Sequence, residues 1–372
     1  MKNKRTESAT ASMAIDWSEL PKELLNLISQ CFDMELDLLR FRSVCSTWRS
    51  SSIPNHYHIL PFKYPFTSSS HHLSKQNIYL IKPSQQRDQT LFRPWLIRTS
   101  QTSSNKTNIF HPLLTNMKCH AISFPHVLDF NKFSVQQLKT NFIINIPGLL
   151  PEKFVVVTCH GKKPLVLSTL TYILPPPRPL NCGNDDENVK WKVIPKITIK
   201  YGDLCLFNGR AYAVHNTGRT VMVRPDDDSG VQFVAKPLMG AGGDIKFLVE
   251  SESDLLLVDV YNCNPWKDCG YDSLRIDLFK LNEKEKKWVK LTSLGDRVLF
   301  LGLVCSFSAS ASDLCVPGGN CVIFMDNIFI CCLHGPNVSR IFHLDQAQLS
   351  RLSDYPEYFN LFSPPEWIVK SC

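Results

Sequence analysis

The chain has 372 residues, 44% hydrophobic and 20% charged, which fits a soluble globular protein with room for one large domain and a small one. Its net charge of +7 is thinly spread: residues 1–110 hold 14 Lys and Arg against 8 Asp and Glu, and residues 111–372 hold 27 against 26. A nucleic-acid surface needs a dense basic stripe with interleaved aromatics, which this pattern lacks, and no apolar run approaches the ~18 residues of a membrane span.

Residues 1–15 are polar and small, and are expected to be disordered. Lys2, Lys4 and Arg5 are followed by no apolar segment, so no secretory signal is read and the cytosol or nucleus is the expected location. A helical texture begins at Ser18, which offers a capping oxygen; Pro21 suits a first turn and Glu23 the positive end of the helix dipole. Leu20, Leu24, Leu27 and Ile28 recur at three- and four-residue spacings, which predicts one apolar stripe. After a break near Phe32–Glu35, a second periodic run covers Leu36–Arg49, and Ser50–Ser52 with Pro54 ends it. The helical domain is thus set at 16–53, followed by an unpatterned linker over 54–76.

From residue 77 to 370 the texture is β-like, with short β-branched and aromatic runs bounded by Gly, Asn, Asp or Pro. The runs are Ile78–Ile81, Trp95–Ile97, Phe154–Thr158, Ala211–Val214, Thr220–Val223, Phe247–Val249, Leu255–Val260, Leu274–Leu281, Trp288–Leu291, Val298–Leu303, Cys321–Met325 and Ile328–Leu333. Asn208-Gly209, Thr217-Gly218, Ser253-Asp254 and Asp326-Asn327 read as turns, and Pro175–Pro177 with Asn181–Asn188 as an exposed loop. Apolar hairpin cores near Phe154, Leu204 and Leu255 lie about fifty residues apart, the spacing of a four-stranded propeller blade. A pair of β-sandwiches is the alternative that short strands leave open.

Chemistry is sparse. None of the 14 cysteines forms a Cys-x-x-Cys pair, and most sit in apolar company, as Cys159, Cys205 and Cys331-Cys332 do, so buried thiols are expected. Cys263/Cys269 and Cys315/Cys321 are too loosely spaced for a tetrahedral zinc site. No Gly-x-Ser-x-Gly, dinucleotide fingerprint or phosphate loop is present, and Asp226–Asp228 lacks the spacing of a calcium loop. His160, His215 and His334 lie at strand ends, where a satisfied hydrogen bond is the ordinary role, and His71-His72 reads as a solvated pair. No catalytic residue, metal site or cofactor is therefore expected.

The stretch Leu20-Pro21-Lys22-Glu23-Leu24-Leu25, then Ile28, then Asp37–Arg49 ending in Val44-Cys45-Ser46-Thr47-Trp48-Arg49, resembles the F-box. Its departure lies at Cys31–Met34, where the family often has a Leu-rich turn and Phe32 stands instead. The resemblance implies a Skp-type adaptor as partner, and through it cullin and RING subunits of a ubiquitin ligase. Carried over by position, Leu20 and Pro21 start the contact surface, and Leu24, Ile28, Leu38, Leu39 and Val44 form its apolar body. Cys45 and Trp48 anchor the last helix. The helices are also too short to bury all these residues against one another.

Phe207–Val214, Leu248–Ser251, Leu255–Val258, Phe279–Leu281 with Trp288, Leu294–Gly302, Asn320–Phe324 and Pro364–Trp367 resemble a plant F-box group. That group carries a C-terminal β-propeller domain of formerly unknown function. It is not the kelch repeat proper, since Gly242-Gly243 and Gly318-Gly319 lack the aromatic residues that should follow. The resemblance implies a non-enzymatic subunit that recruits a target protein. The rivals are an F-box scaffold outside a ligase, and a propeller whose central channel senses or converts a small molecule. Converging His, Asp and Glu side chains in the channel would mark the last of these.

Overall fold

The computed structural model describes residues 17–32, 35–52, 73–83, 93–101, 107–114, 133–144, 152–157, 165–168, 179–183, 192–198, 202–223, 231–240, 242–261, 274–325, 328 and 338–371. The chain divides into two compact units, Met1–His58 and Ile59–Cys372.

The first unit holds a short 3-10 turn (Trp17–Glu19) and three helices, α1 (Lys22–Gln30), α2 (Glu35–Ser43) and α3 (Ser46–Ser51). Pro21 is the residue just before α1 rather than part of its first turn, and its carbonyl accepts from Leu25 N at 3.0 Å. The expected single run over Leu36–Arg49 is two helices. Cys45 is extended (φ −159°, ψ 175°) and breaks it ahead of α3.

The second unit is all-β apart from short helices. It opens with β1 (Leu73–Pro83), β2 (Trp95–Gln101), β3 (Thr107–Phe110), β4 (Phe133–Ile144), β5 (Glu152–Val157), β6 (Leu165–Ser168), β7 (Pro179–Gly183) and β8 (Lys192–Thr198). These form one sheet ordered β3-β2-β1-β4-β5-β6-β7-β8. Two expectations change here. β1 starts at Leu73, within the span 54–76 read as linker, because Leu73–Gln76 ladder onto Ile144–Asn141 of β4 although they lack a strand-like pattern. Asn181–Gly183, read as loop, pair with β6 and β8, so backbone pairing overrides a polar composition. Cys159, Pro175–Pro177, His160, Asp226–Asp228, Cys263, Cys269, Asp326-Asn327, Cys331-Cys332 and His334 lie outside the described residues, as do His71-His72.

β9 (Asp203–Phe207), β10 (Arg210–Val214), β11 (Thr220–Val223) and β12 (Val231–Ala235) make the second sheet. Asn208 (φ 48°) and Gly209 (φ 70°) turn the chain between Phe207 and Arg210, the left-handed pair that a two-residue hairpin loop requires. β13 (Ile245–Ser251), β14 (Asp254–Tyr261), β15 (Arg275–Asn282) and β16 (Lys287–Leu291) make the third. Its first hairpin turns at Glu252-Ser253, one residue before the expected Ser253-Asp254, because Ser251 pairs with Asp254.

The last sheet contains β17 (Arg297–Leu301), β18 (Phe307–Ser310), β19 (Cys321–Met325), β20 (Ser339–His343) and β21 (Gln348–Arg351), ordered β18-β17-β19-β20-β21. α4 (Ala311–Leu314) carries the chain from β18 over to β19, which runs parallel to β17. Ser310 caps α4 by accepting from Asp313 N at 2.9 Å. Two short helices, α5 (Pro356–Phe359) and α6 (Glu366–Ser371), end the chain.

The four sheets stand as blades of a β-propeller. Their inner strands touch in a closed ring, β4 to β5 to β9 to β13 to β18 and back to β4, with the eight-stranded sheet supplying two members. Side chains tie blade to blade. Asp203 in β9 accepts from Lys153 in β5 (2.6 Å) and from the Leu248 backbone N in β13 (2.8 Å). Trp288 in β16 donates through Nε1 to the Gly218 carbonyl (2.9 Å) and to Thr220 Oγ1 (3.1 Å) of the neighbouring blade. Gly243 is fixed by space: a Cβ there would lie 2.4 Å from the Val260 carbonyl oxygen. Packing, not a kelch pattern, accounts for that glycine.

Candidate functional site

The helical unit has a small interior and a large apolar exterior. Leu25, Leu36, Leu38 and Phe41 are buried. Phe41 is the centre of an aromatic row, 5.4 Å from the Phe32 ring and 4.5 Å from Trp48. Trp48 Nε1 donates to the Trp17 carbonyl at 3.1 Å, which ties α3 to the start of the unit. Arg42 holds the end of α3 by donating to the Arg49 carbonyl (3.1 Å), to Ser52 Oγ (3.0 Å) and to the Ser52 carbonyl. In return Arg49 Nε donates to the Arg42 carbonyl at 3.2 Å. These two arginines lock α2 against α3.

The opposite face of α1 is bare. Leu24 (47% exposed), Leu27 (58%) and Ile28 (40%) lie one turn apart on one side, while Leu25 and Ser29 point inward. Val44 between α2 and α3 is 58% exposed and Trp17 62%. Among the described residues eight large hydrophobics are exposed, and five of them belong to this unit. At about 25 cal/mol per Å² of apolar surface removed from water, such a cluster is a strong driving force for association.

The expected contact residues are therefore placed unevenly. Leu24, Ile28, Val44 and Pro21 are exposed; Leu20, Cys45 and Trp48 are half-buried. Leu38 is a correction, being only 7% exposed: it lies one turn before Phe41 in α2 and shares that inward face. Leu39 lies in α2 and its side chain is outside the description. Motif matching passed over Leu27 as a contact residue, although its place in the apolar stripe marks it, and passed over Trp17, which no periodicity marks.

The inner ring of the propeller holds the other cluster of ionisable groups. Lys139 of β4 reaches across the ring to strands that do not neighbour β4. It donates to Glu250 Oε2 in β13 (2.6 Å) and to the Leu206 carbonyl in β9 (3.1 Å), and lies 3.8 Å from Cys205 Sγ. Burial alone would pull its ammonium down, but the Glu250 carboxylate, by charge and hydrogen bond, holds it above the ordinary lysine range. Burial pushes the Cys205 thiol up, against the pull of Lys139. Cys305 is likewise raised, to about 11, by burial. A protonated thiol and an ammonium committed to Glu250 form neither a nucleophile nor a base. The ring is spanned by a structural lysine.

Elsewhere His215 plays the local role expected of it. Its Nδ1 accepts from Thr217 N at 3.2 Å and lies 3.0 Å from Thr217 Oγ1, and burial followed by Arg219 and Lys246 lowers its pKa. No group of three or more metal-ligating side chains occurs among the described residues. Cys205, Cys305 and Cys321 are buried as expected of thiols in apolar company, whereas Cys31 and Cys315 are exposed.

The family model described as the KIB1-4 β-propeller matches residues 65–346. The chain is 33% identical to the F-box protein SKIP23 of Arabidopsis thaliana, over 95% of this chain and 96% of that protein. It is also 33% identical to the Arabidopsis F-box protein At2g17036, over 96% of each. Both similarities run through the helical unit as well as the propeller.

Proposed function

The chain belongs to the F-box proteins of the KIB1-4 β-propeller family, and from that premise we propose that it is the substrate-recruiting subunit of a Skp–cullin–F-box ubiquitin ligase. The helical unit docks a Skp-type adaptor, and the propeller presents loops to a target protein in the nucleus or cytoplasm. The carrying observation is the bare apolar face of Leu24, Leu27 and Ile28 with Val44, which a unit of three short helices leaves uncovered.

The mechanism this supports is proximity. Holding a target beside a charged ubiquitin-conjugating enzyme raises the effective concentration of the target's lysines. The transfer chemistry then belongs to the partners, and this chain supplies two binding surfaces on one polypeptide. The channel reading gains no support from Lys139, whose ammonium is already held by Glu250 and the Leu206 carbonyl.

The test is capture of a purified Skp-type adaptor by the full chain. Leu24→Arg with Ile28→Arg places two charges on the exposed face of α1, and is expected to weaken capture at least about 100-fold, since an unpaired buried charge costs several kcal/mol. The same variant should keep the melting transition of the propeller. Capture equal to wild type would overturn the docking face.

A further inference from the structure

A propeller needs a fastening where its last blade meets its first. Every other junction here is bridged by the chain itself: β8 leads to β9, β12 to β13, and β16 to β17. At the remaining seam the first sheet is built from residues 73–198 and the last from 297–351, and no described strand is shared between them. Among the described residues β18 packs against β4 here, and two hydrogen bonds cross directly, Lys82 Nζ to Asp313 Oδ1 at 2.7 Å and Asn141 Nδ2 to the Val304 carbonyl at 2.9 Å.

The C-terminal segment adds a second set of contacts across the seam. Leu352, Tyr358, Leu361 and Phe362 share one buried cluster with Leu96 of the first sheet and Phe300 of the last. On the last sheet's side, Tyr358 Oη donates to the Gly318 carbonyl at 2.6 Å, and Phe362 meets Phe300 edge-on at 6.2 Å. On the first sheet's side, His111 stacks on Phe362 at 4.5 Å. Arg93 Nη1 donates to the Asn360 carbonyl at 3.1 Å, and Trp367 Nε1 donates to the Arg93 carbonyl at 3.0 Å. One aromatic residue, Phe362, thus touches both sides.

We infer that residues 352–368 are a latch that closes the propeller through side chains alone, so that the seam between last and first blades is the joint that opens first. Local opening follows the weakest set of contacts, and this is the one junction without chain continuity. The inference stands independently of the ligase reading.

Native-state hydrogen exchange on the full chain tests it. Phe362→Ala with Trp367→Ala is expected to speed exchange of β2 and β17 amides by about tenfold or more, while β10 and β14 amides keep their wild-type rates. Phe359→Ala, on the same segment but exposed, is expected to change neither pair. If the double variant fails to fold, Arg93→Ala removes the single hydrogen bond to Asn360 and should show the same contrast at a few-fold. Unchanged rates in β2 and β17, or equal acceleration in all four strands, would overturn the latch.

Discussion

The two units of this chain spend their apolar residues in opposite ways. In the propeller β9, β10, β11, β14 and β19 are almost wholly buried, and even a lysine, Lys246, is taken out of water with its partner Asp259. In the helical unit one helix, α1, buries Leu25 and leaves Leu24, Leu27 and Ile28 in solvent. A fold that is finished within the chain shows few exposed large side chains, and one that is finished by a partner shows many. The contrast is what the proposed docking role of the helical unit rests on.

The strongest way to break that contrast is to damage the propeller and ask whether docking follows. Lys246 Nζ donates to Asp259 Oδ1 at 2.5 Å and to the Gly243 carbonyl at 2.9 Å, and Asp259 also accepts from Gly243 N, with both side chains fully buried. Asp259→Ala leaves an ammonium buried without its counter-charge, so it should cost about 3–5 kcal/mol in denaturant unfolding. Adaptor capture by the fraction still folded should be unchanged. A smaller loss is expected for Trp288→Phe, which keeps an aromatic side chain but loses the indole donor to the Gly218 carbonyl and Thr220 Oγ1, at about 1–3 kcal/mol by thermal melting.

The least disruptive probe is thiol labelling of the native protein. Cys31 and Cys315 are exposed and should react first, while Cys205, Cys305 and Cys321 stay protected. Burial raises the Cys321 thiol to about 12 and the Cys305 thiol to about 11. A thiol raised in the folded state stabilises it fully below the unfolded value of about 8.5, and that contribution is lost as pH rises toward 11 and 12. Alkaline unfolding should therefore release Cys305 and Cys321 for labelling together with global melting, with Cys31 already labelled.

Much of this was legible in the residues, and the gaps have physical causes. Asn208-Gly209 announces its hairpin because two left-handed residues are chemically demanding, and Thr220–Val223 is a strand to the residue. β4 announces nothing: Gln136, Gln137 and Lys139 interrupt any alternation, and its twelve residues are a strand because β1 pairs along them. The fifty-residue spacing finds two inner strands at Phe154 and Leu204 but meets Leu255 in the second strand of its blade. The apolar face of α1 follows the same rule. Spacing alone identifies the stripe of Leu24, Leu27 and Ile28, whereas the burial of Leu38 depends on where α2 turns its Phe41 side.

The bare face of α1 is the proposed docking surface for a Skp-type adaptor. Isothermal titration of the full chain with a purified Skp-type adaptor tests it most directly, because apolar burial leaves a negative heat-capacity change. The account predicts saturable binding with that signature, lost in Leu24→Arg with Ile28→Arg while the propeller still melts as wild type. Binding that survives both substitutions, or a wild-type chain that binds no Skp-type adaptor, would contradict it.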